Sequence, residues 1–213
     1  MNNKTLFIIA AISFGLAFIA SVTIYKSQNT SSIANDALPA LERINAPVKG
    51  RKNAKVTIVE FFDPACGTCS QFYPLVNNLV KKHRGKVKVE MRYAPLHKGS
   101  EDVVKMLEAA HMQGLFWPAL ELLFANQQSW VDHHVSNPQS ALAGIKTLPL
   151  DHQQLESDWQ SSKVSKIISQ DILDGQTLKV RATPQFFVNG KPLVVFGYQE
   201  LVDLVEEAIA EVY

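Results

Sequence analysis

Apolar residues alternate or run together in four short stretches that predict β-strands. Val56–Phe62 is apolar on both of its alternating faces, which is typical of a strand buried in the middle of a sheet. Lys86–Tyr93 alternates apolar with charged residues and predicts a second strand. Near the end of the chain, Gln185–Val188 and Leu193–Phe196 flank Asn189-Gly190, a dipeptide typical of a two-residue hairpin turn.

Apolar residues spaced as on a helix face predict helices in most of the remaining chain. The helix after the first strand continues through Gln71–Lys82, where we expect a kink at Pro74. A block over residues 98–178 has helical spacing throughout, including a polar helix from about residue 153 to 173. A last helix covers Gln199–Val212. The order of elements favours an α/β fold with a mixed sheet covered on both faces.

The first 26 residues predict a membrane segment. Leu6–Ile24 carries no charge, and its 19 residues would form a helix of about 28 Å, close to the thickness of a bilayer core. The alternative is a signal peptide cleaved near Ser32-Ile33-Ala34, and either interpretation exports the rest of the chain. We therefore expect a signal-anchor over 1–26, a linker over 27–52 and a folded domain over 53–212 with a helical insertion at about 98–178.

Composition limits the classes of function. The 213 residues are 46% hydrophobic, enough for one full core, and the net charge of +1 argues against a nucleic-acid partner. The linker is too short for a separate dimerisation domain, so we expect a monomer. Two cysteines three positions apart give neither a disulfide framework nor a four-ligand zinc site, and we expect no metal and no cofactor.

The chemistry of the chain is concentrated in Cys66-Gly67-Thr68-Cys69. This motif follows the turn signal Asp63-Pro64 and opens a helix. The unpaired N–H groups and positive dipole at a helix N-terminus stabilise a thiolate there by about 0.3 to 2 kcal/mol. We expect Cys66 to be the nucleophile and Cys69, one helical turn later, to resolve a mixed disulfide.

Other polar and aromatic residues have two possible interpretations. Glu60 lies within the first strand. It is either a buried carboxyl of raised pKa that exchanges protons with a thiol, or a carboxylate in a solvated groove without a role. His133-His134 is interpreted as a surface pair, since adjacent histidines point in different directions and no carboxylate repeat accompanies them. The tryptophans are expected to anchor packing, at Trp117, Trp130 and Trp159.

Three segments carry a family resemblance: VEFFDPACGTC, QGLFWPALELLFANQQSW and ATPQFFVNGK. Together they resemble the thioredoxin superfamily, and the middle segment is similar to the insertion of the DsbA-like thiol-disulfide oxidoreductases. The resemblance covers about residues 53–211. It implies a thioredoxin-like fold with an inserted helical domain, preceded here by the N-terminal transmembrane helix.

The resemblance also implies roles for individual residues. Cys66 would be the exposed attacking thiol of a redox-active Cys66–Cys69 disulfide, and Glu60 the buried acid of a proton relay. Pro184 matches the cis-proline that helps a substrate dock, and Thr183 would contact both substrate and thiol.

Two positions depart from the strongly oxidising DsbA enzymes. Gly67 and Thr68 stand where those enzymes carry Pro-His between the cysteines, so no imidazolium helps to hold the thiolate. Thr183 before the proline is more typical of disulfide isomerases.

The sequence thus predicts a protein thiol-disulfide oxidoreductase that exchanges disulfides with cysteines of exported proteins, as a disulfide donor. A reductase or isomerase of the same fold is the alternative, followed by a chaperone-like binding module and a metal site on the two thiols. We expect it in the bacterial periplasm or on the extracytoplasmic face, anchored to the inner membrane by the N-terminal helix or released by cleavage. A membrane redox partner would recycle it.

Overall fold

The computed structural model describes Ala40, Leu41 and residues 43–213. The strands are β1 (Val48–Gly50), β2 (Val56–Phe62), β3 (Val87–Tyr93), β4 (Val131–Asp132), β5 (Val135–Ser136), β6 (Gln185–Val188) and β7 (Lys191–Pro192). The helices are α1 (Gly67–Lys82), α2 (Ser100–Met112), α3 (Phe116–Ala125), α4 (Pro138–Ile145), α5 (His152–Trp159), α6 (Ser162–Thr177) and α7 (Tyr198–Val212). A 3₁₀ turn covers Gln127–Ser129.

The predicted membrane segment Leu6–Ile24 lies outside the described residues. Within the described part, every helix is too short or too polar to cross a bilayer.

The main sheet has five strands in the order β1-β3-β2-β6-β7. β2 runs parallel to β3 and antiparallel to β6, and the two outer pairs are antiparallel. The mixed sheet predicted from the order of elements is therefore confirmed. The central place of β2 explains why its sequence is apolar on both faces.

Helices cover both faces of this sheet. On one face, the Phe72 ring of α1 lies 5.5 Å from Phe186 of β6 and stacks at 4.3 Å on Tyr198, the first residue of α7. On the other face, α6 packs against β2, where a Cβ on Gly175 would lie 3.6 Å from the Phe61 ring. The helices α2 to α6 lie between β3 and β6 in sequence, where the helical insertion was expected.

A buried arginine ties the start of the described chain to the sheet. Arg92 of β3 is fully buried, and its Nε and Nη2 donate to Asp171 Oδ1 of α6 at 2.9 and 2.8 Å. Its Nη1 donates to the carbonyl oxygens of Ala40 and Leu41 at 2.9 and 2.8 Å. A buried guanidinium requires such partners, because desolvating an unpaired charge is costly.

The folded part therefore begins before residue 53. Val48–Gly50 forms β1 and pairs with Lys88–Glu90 of β3, so the predicted linker over 27–52 extends too far. A three-residue strand has too little periodicity to be distinguished from a linker in the sequence.

Two predicted elements differ from the structure. The polar helix expected over 153–173 is broken into α5 and α6, because the Ser161 hydroxyl accepts the N–H of Val164 and caps a new helix. The returning hairpin strand is Lys191–Pro192 instead of Leu193–Phe196. Residues 194–196 leave the sheet edge, and the Phe196 ring packs 4.8 Å from Phe72 on the approach to α7.

The predictions for the tryptophans and histidines are confirmed. Trp130 is buried and donates its Nε1–H to the Leu123 carbonyl at 2.9 Å. Trp117 and Trp159 are partly buried against the core. His133 and His134 are exposed, in a turn between β4 and β5.

Candidate active site

The two thiols lie where β2 passes into α1. Cys66 is the N-cap of α1, and its own N–H donates to the Asp63 carbonyl at 3.0 Å, which closes the turn between strand and helix. Gly67 is the exposed first residue of the helix and Thr68 is half-buried. The sequence prediction of two thiols at a helix N-terminus is therefore confirmed.

Cys66 is placed to be ionised. A hydrogen bond from the Cys69 thiol, a further bond from the Thr183 side chain and the backbone N–H groups of Cys69 and Thr68 stabilise its thiolate. Burial acts in the opposite direction, and the net effect lowers the pKa of Cys66 from 9.0 to about 5. Thr68, which replaces the histidine of the strongly oxidising DsbA enzymes, contributes its backbone N–H.

Cys66 is also less exposed than the resemblance implied. Only 6% of the residue is accessible, and its thiol can donate to the Thr183 carbonyl oxygen, which lies 3.2 Å from the sulfur.

Cys69 has the opposite character. It is fully buried, and desolvation, the bond that its thiol donates to Cys66 and the negative charge of Glu60 raise its pKa well above 9.0. Both cysteines are free in this structure. At neutral pH the pair therefore holds one thiolate and one thiol, and the thiolate belongs to Cys66, the less deeply buried of the two.

Glu60 lies beneath the thiols on β2 and is 1% exposed. Its Oε2 has no hydrogen-bond partner among the described residues. Desolvation, followed by repulsion from the Cys66 thiolate, raises its pKa to about 8. The buried interpretation of Glu60 is therefore confirmed over the solvated one, and its carboxyl can hold a proton near neutral pH.

Thr183 and Pro184 form the opposite wall of the site. The peptide bond between them is cis, as the resemblance implied. Gln185 follows at once as the first residue of β6 and pairs with Phe61. The register between β2 and β6 thus places the loop before β6 beside the residues that lead to Cys66.

Asp63 supports the site and was not recognised from the sequence. It is fully buried, its Oδ1 accepts the Ala65 N–H at 2.8 Å, and its Oδ2 accepts the N–H groups of Leu96 and His97 at 2.8 and 2.9 Å. Its Oδ2 also accepts a bond from the Ser100 hydroxyl at 2.9 Å. Asp63 therefore fixes the turn that carries Cys66 to the segment after β3.

Gln127 was missed as well. It lies in the 3₁₀ turn of the insertion, and its Nε2 donates to the Pro64 carbonyl at 2.8 Å. The Asp63-Pro64 turn signal was visible in the sequence, but partners that lie 33 to 63 residues away were not.

The part of the chain that the structure describes contains no group of three or more His, Cys, Asp or Glu side chains that could hold a metal ion. The arrangement of a stabilised thiolate, a more deeply buried thiol and a protonated carboxyl fits thiol-disulfide exchange, in which one sulfur attacks and the other resolves.

Comparison with known proteins agrees with this chemistry. The family model described as Thioredoxin matches residues 42–207. The chain belongs to the thioredoxin family.

Solved structures place this thioredoxin-family chain beside DsbA-like proteins. A thioredoxin-like oxidoreductase from Silicibacter pomeroyi DSS-3 is 28% identical with a TM-score of 0.69, over 79% of this chain and 95% of that one. BdbD from Bacillus subtilis is 26% identical with a TM-score of 0.67, over 78% and 94% of the two chains. The thiol-disulfide exchange protein alpha-DsbA2 from Wolbachia pipientis has a TM-score of 0.73 over 86% and 97% of the chains, and at 21% identity it shows the fold alone. The predicted DsbA-like family and fold are confirmed, and the first two of these structures support the enzyme class, a protein disulfide oxidoreductase.

Relatives by sequence include much longer proteins. The Na(+)/H(+) antiporter NhaA of Herminiimonas arsenicoxydans is 27% identical over 146 residues, which are 68% of this chain and 22% of the antiporter. NhaA 1 of Mycolicibacterium gilvum is 34% identical over 152 residues, 68% of this chain and 23% of that protein. The chain thus spans less than a quarter of the length of these relatives.

Proposed function

We propose that this thioredoxin-family protein is an extracytoplasmic disulfide donor, which passes a Cys66–Cys69 disulfide to cysteines of exported proteins. The observation that carries the proposal is the stabilised Cys66 thiolate, with a pKa lowered to about 5. A well-stabilised thiolate is a good leaving group, and stabilising the reduced form makes the disulfide a stronger oxidant.

The reaction begins with the oxidised pair. A substrate thiolate attacks the sulfur of Cys66, the Cys66–Cys69 bond breaks, and a mixed disulfide forms between substrate and Cys66. Cys69 leaves as a thiolate. Because its pKa lies well above 9.0, it takes up a proton, which the protonated Glu60 carboxyl can supply.

A second substrate thiolate completes the exchange. It attacks the substrate sulfur of the mixed disulfide, forms the substrate disulfide and releases Cys66 as a thiolate. Two substrate thiols are oxidised and one enzyme disulfide is reduced. The Thr68 and Cys69 N–H groups hold the charge on the departing Cys66 sulfur.

Thr183 and Pro184 are proposed to position the substrate. The Thr183 carbonyl lies 3.2 Å from the Cys66 sulfur, so an extended peptide beside this loop would present its own sulfur to Cys66. Gly67 and Thr68 are proposed to tune the potential through the helix N-terminus.

A reductase or isomerase is the second candidate. In that direction the Cys66 thiolate attacks a substrate disulfide. The pKa of about 5 lies between those of the nucleophilic cysteines of DsbA, about 3.5, and thioredoxin, about 7, and it is nearer to the DsbA value, so it ranks the donor first. A chaperone-like binding module remains a third candidate.

The proposed location follows from the uncharged run Leu6–Ile24. We propose that the domain lies outside the cytoplasm of a bacterium, anchored to the inner membrane or released after cleavage, because the two-thiol motif suits exported substrates. A membrane redox partner would reoxidise the thiols there.

The reduction potential of the Cys66–Cys69 pair tests the direction of exchange. The full chain is equilibrated with glutathione buffers, and the fraction of free thiol is measured at each ratio. A potential near about −120 mV supports a disulfide donor, whereas one near about −270 mV identifies a reductant and overturns the proposal.

Trapping tests the assignment of the attacking thiol. Cys69→Ser should accumulate mixed disulfides with exported proteins through Cys66, because the resolving thiol is absent. Cys66→Ser is the control and should trap none. Mixed disulfides on Cys69 instead would reverse the two roles. Client binding that persists in Cys66→Ser without exchange would favour the chaperone candidate.

A further inference from the structure

Cationic side chains gather at one end of the molecule, where α1 and α7 finish. We call this surface the cationic end. It consists of Arg51, Lys52, Lys55, Lys81, Lys82, Arg84, Lys86, Lys88 and Lys191. All except Lys88 and Lys191 are exposed.

Four segments form the cationic end. The turn between β1 and β2 lies against the turn between α1 and β3, because Lys88 Nζ donates to the Lys52 carbonyl at 3.4 Å. The Lys55 and Lys86 ammonium groups lie 5.0 and 5.1 Å from the Tyr213 ring after α7. The β6–β7 hairpin joins them, since Asn189 Nδ2 donates to the Lys55 carbonyl at 3.1 Å.

Carboxylates balance only part of this charge. Glu206 pairs with Lys82 at 2.7 Å and contacts His83 at 3.1 Å, and Glu207 and Glu211 pair with Lys191 at 3.1 and 2.6 Å. Within the described part of the chain, the other seven cations form no ion pair. On the described residues, nine Lys and Arg side chains therefore share a surface with the three carboxylates that pair with them, in a chain of net charge +1.

Helix stabilisation explains only a minority of these cations. Lys81 and Lys82 occupy the last turn of α1, where they complement the helix dipole. Arg51, Lys52 and Lys86 lie outside the helices, where no dipole requires them.

The cationic end lacks the apolar centre of a typical protein interface. Among the described residues, the strongly exposed apolar side chain that contacts these cations is Tyr213, beside Lys55 and Lys86. The cationic end would therefore bind a partner whose negative charges are distributed over a broad surface. The headgroups of anionic phospholipids provide such a surface, and each cation near it raises affinity by about fivefold.

The cationic end also lies far from the thiols. α1 begins beside Cys66 and ends at Lys82, and its 16 residues span about 24 Å. A bilayer that binds one end of α1 therefore leaves the other end facing the aqueous phase.

We propose that the cationic end docks on the anionic headgroups of a phospholipid bilayer and orients the thiol pair away from the membrane, towards exported proteins. The docking is reversible, because reoxidation by a membrane redox partner requires the thiols to turn back to the membrane. The proposal does not depend on the direction of disulfide exchange. The uncharged run Leu6–Ile24, retained as an anchor, would hold the domain beside such a surface.

The test measures orientation in the full chain, so that any contribution of the N-terminal segment to binding is shared by all samples. One sample carries a fluorophore on Cys66 in a Cys69→Ser background. The other carries it on the product of Asn53→Cys, with both native cysteines changed to Ser. Asn53 is an exposed residue of the cationic end. Energy transfer to headgroup acceptors is measured on vesicles of phosphatidylcholine with about one third phosphatidylglycerol.

Transfer from position 53 should exceed transfer from Cys66 on the anionic vesicles. The difference should disappear in high salt, which screens the cations. It should also disappear when Lys52, Lys55, Lys81, Arg84 and Lys86 are changed to Gln. A matched variant changes Lys98, Lys163, Lys166, Lys179 and Arg181 to Gln, with the same loss of five exposed cations elsewhere.

The matched variant should retain the difference. Equal transfer from the two positions, greater transfer from Cys66, or equal losses in the two Gln variants would overturn the proposal. Absence of binding to the anionic vesicles would do so as well. Binding of the cationic end to double-stranded DNA, without an orientation on vesicles, would identify a different acidic partner. Circular dichroism of each variant separates these results from misfolding.

Discussion

Glu60 and Cys66 should act on the stability of the reduced protein with opposite dependence on pH. Burial and the Cys66 charge raise the pKa of Glu60 from 4.5 to about 8, so the folded protein keeps a proton that the unfolded chain releases. Stability therefore falls as the pH rises from about 4.5 to about 8. Each pH unit in this window costs about 1.4 kcal/mol, or about 5 kcal/mol in total.

Cys66 has the opposite sign. Its pKa is lowered from 9.0 to about 5, so the folded protein releases a proton that the unfolded chain keeps. Its contribution is fully present above pH 9, declines as the pH falls, and is lost below about pH 5. Between pH 5 and 8 this stabilises the folded state by about 1.4 kcal/mol for each unit of rising pH, which offsets the cost of Glu60.

Removing one of the two groups should therefore leave the pH dependence that the other gives to the free energy of unfolding. Relative to the wild type, the free energy of unfolding of reduced Glu60→Gln should rise by about 1.4 kcal/mol per pH unit, or about 4 kcal/mol from pH 5 to 8. Cys66→Ser should show the falling slope, over a narrower window because the Cys66 charge helps to raise the pKa of Glu60.

The assay is urea unfolding at pH 5, 6, 7 and 8 in the presence of reductant. Expressing each variant as a difference from the wild type removes the contribution of the other titrating groups. Glu101→Gln, at an exposed position in the first turn of α2, is the control and should run parallel to the wild type. A Glu60→Gln curve that is also parallel to the wild type would refute the argument.

Two further predictions concern Cys66 and Arg92. Alkylation of Cys66 in the reduced protein should follow a titration with its midpoint near pH 5, because only the thiolate reacts. In Cys69→Ala, which removes the hydrogen bond to the Cys66 sulfur, the midpoint should rise, and an unchanged midpoint would contradict that cause. Arg92→Met should lower the free energy of unfolding by about 3 to 5 kcal/mol, because Asp171 loses its buried partner. The control Lys105→Met removes a surface pair with Glu101 and should lower it by about 0.5 kcal/mol or less. Both free energies of unfolding are measured in urea. Equal losses in Arg92→Met and Lys105→Met would show that the Arg92 network is not buried as described.

Sequence signals were sufficient to predict those parts of the site whose residues are close together in the chain. The apolar strand, the turn and the thiols follow one another within Val56–Cys69, and Asn189-Gly190 carries its own turn chemistry. The alternation of side chains along Val56–Phe62 left the burial of Glu60 as one of two alternatives. A strand covered by helices and a strand that faces a solvated groove show the same alternation.

Contacts between distant segments could not be predicted in this way. Gln127 supports Pro64 across 63 positions, and no periodicity relates a glutamine in a turn to a carbonyl near the thiols. β1 depends on pairing with β3 and is too short to show a pattern of its own. The break at Ser161 is different, because a serine preceded by a polar residue is a cap signal that could have been used.

The two hydrogen bonds from Arg92 to the carbonyls of Ala40 and Leu41 fix the point at which a force on the preceding chain would act on the domain. The Arg92 guanidinium lies 5.1 Å from the Phe61 ring, on the face of the sheet that α6 covers, so the chain enters the domain on that face. The thiols lie on the other face at the start of α1, and the cationic end lies at the end of α1. A pull through the N-terminal chain and an attraction to lipid would therefore act at different points of the domain. Ionic strength weakens the attraction to lipid and leaves the pull unchanged, so added salt would change the orientation of the thiols relative to the membrane.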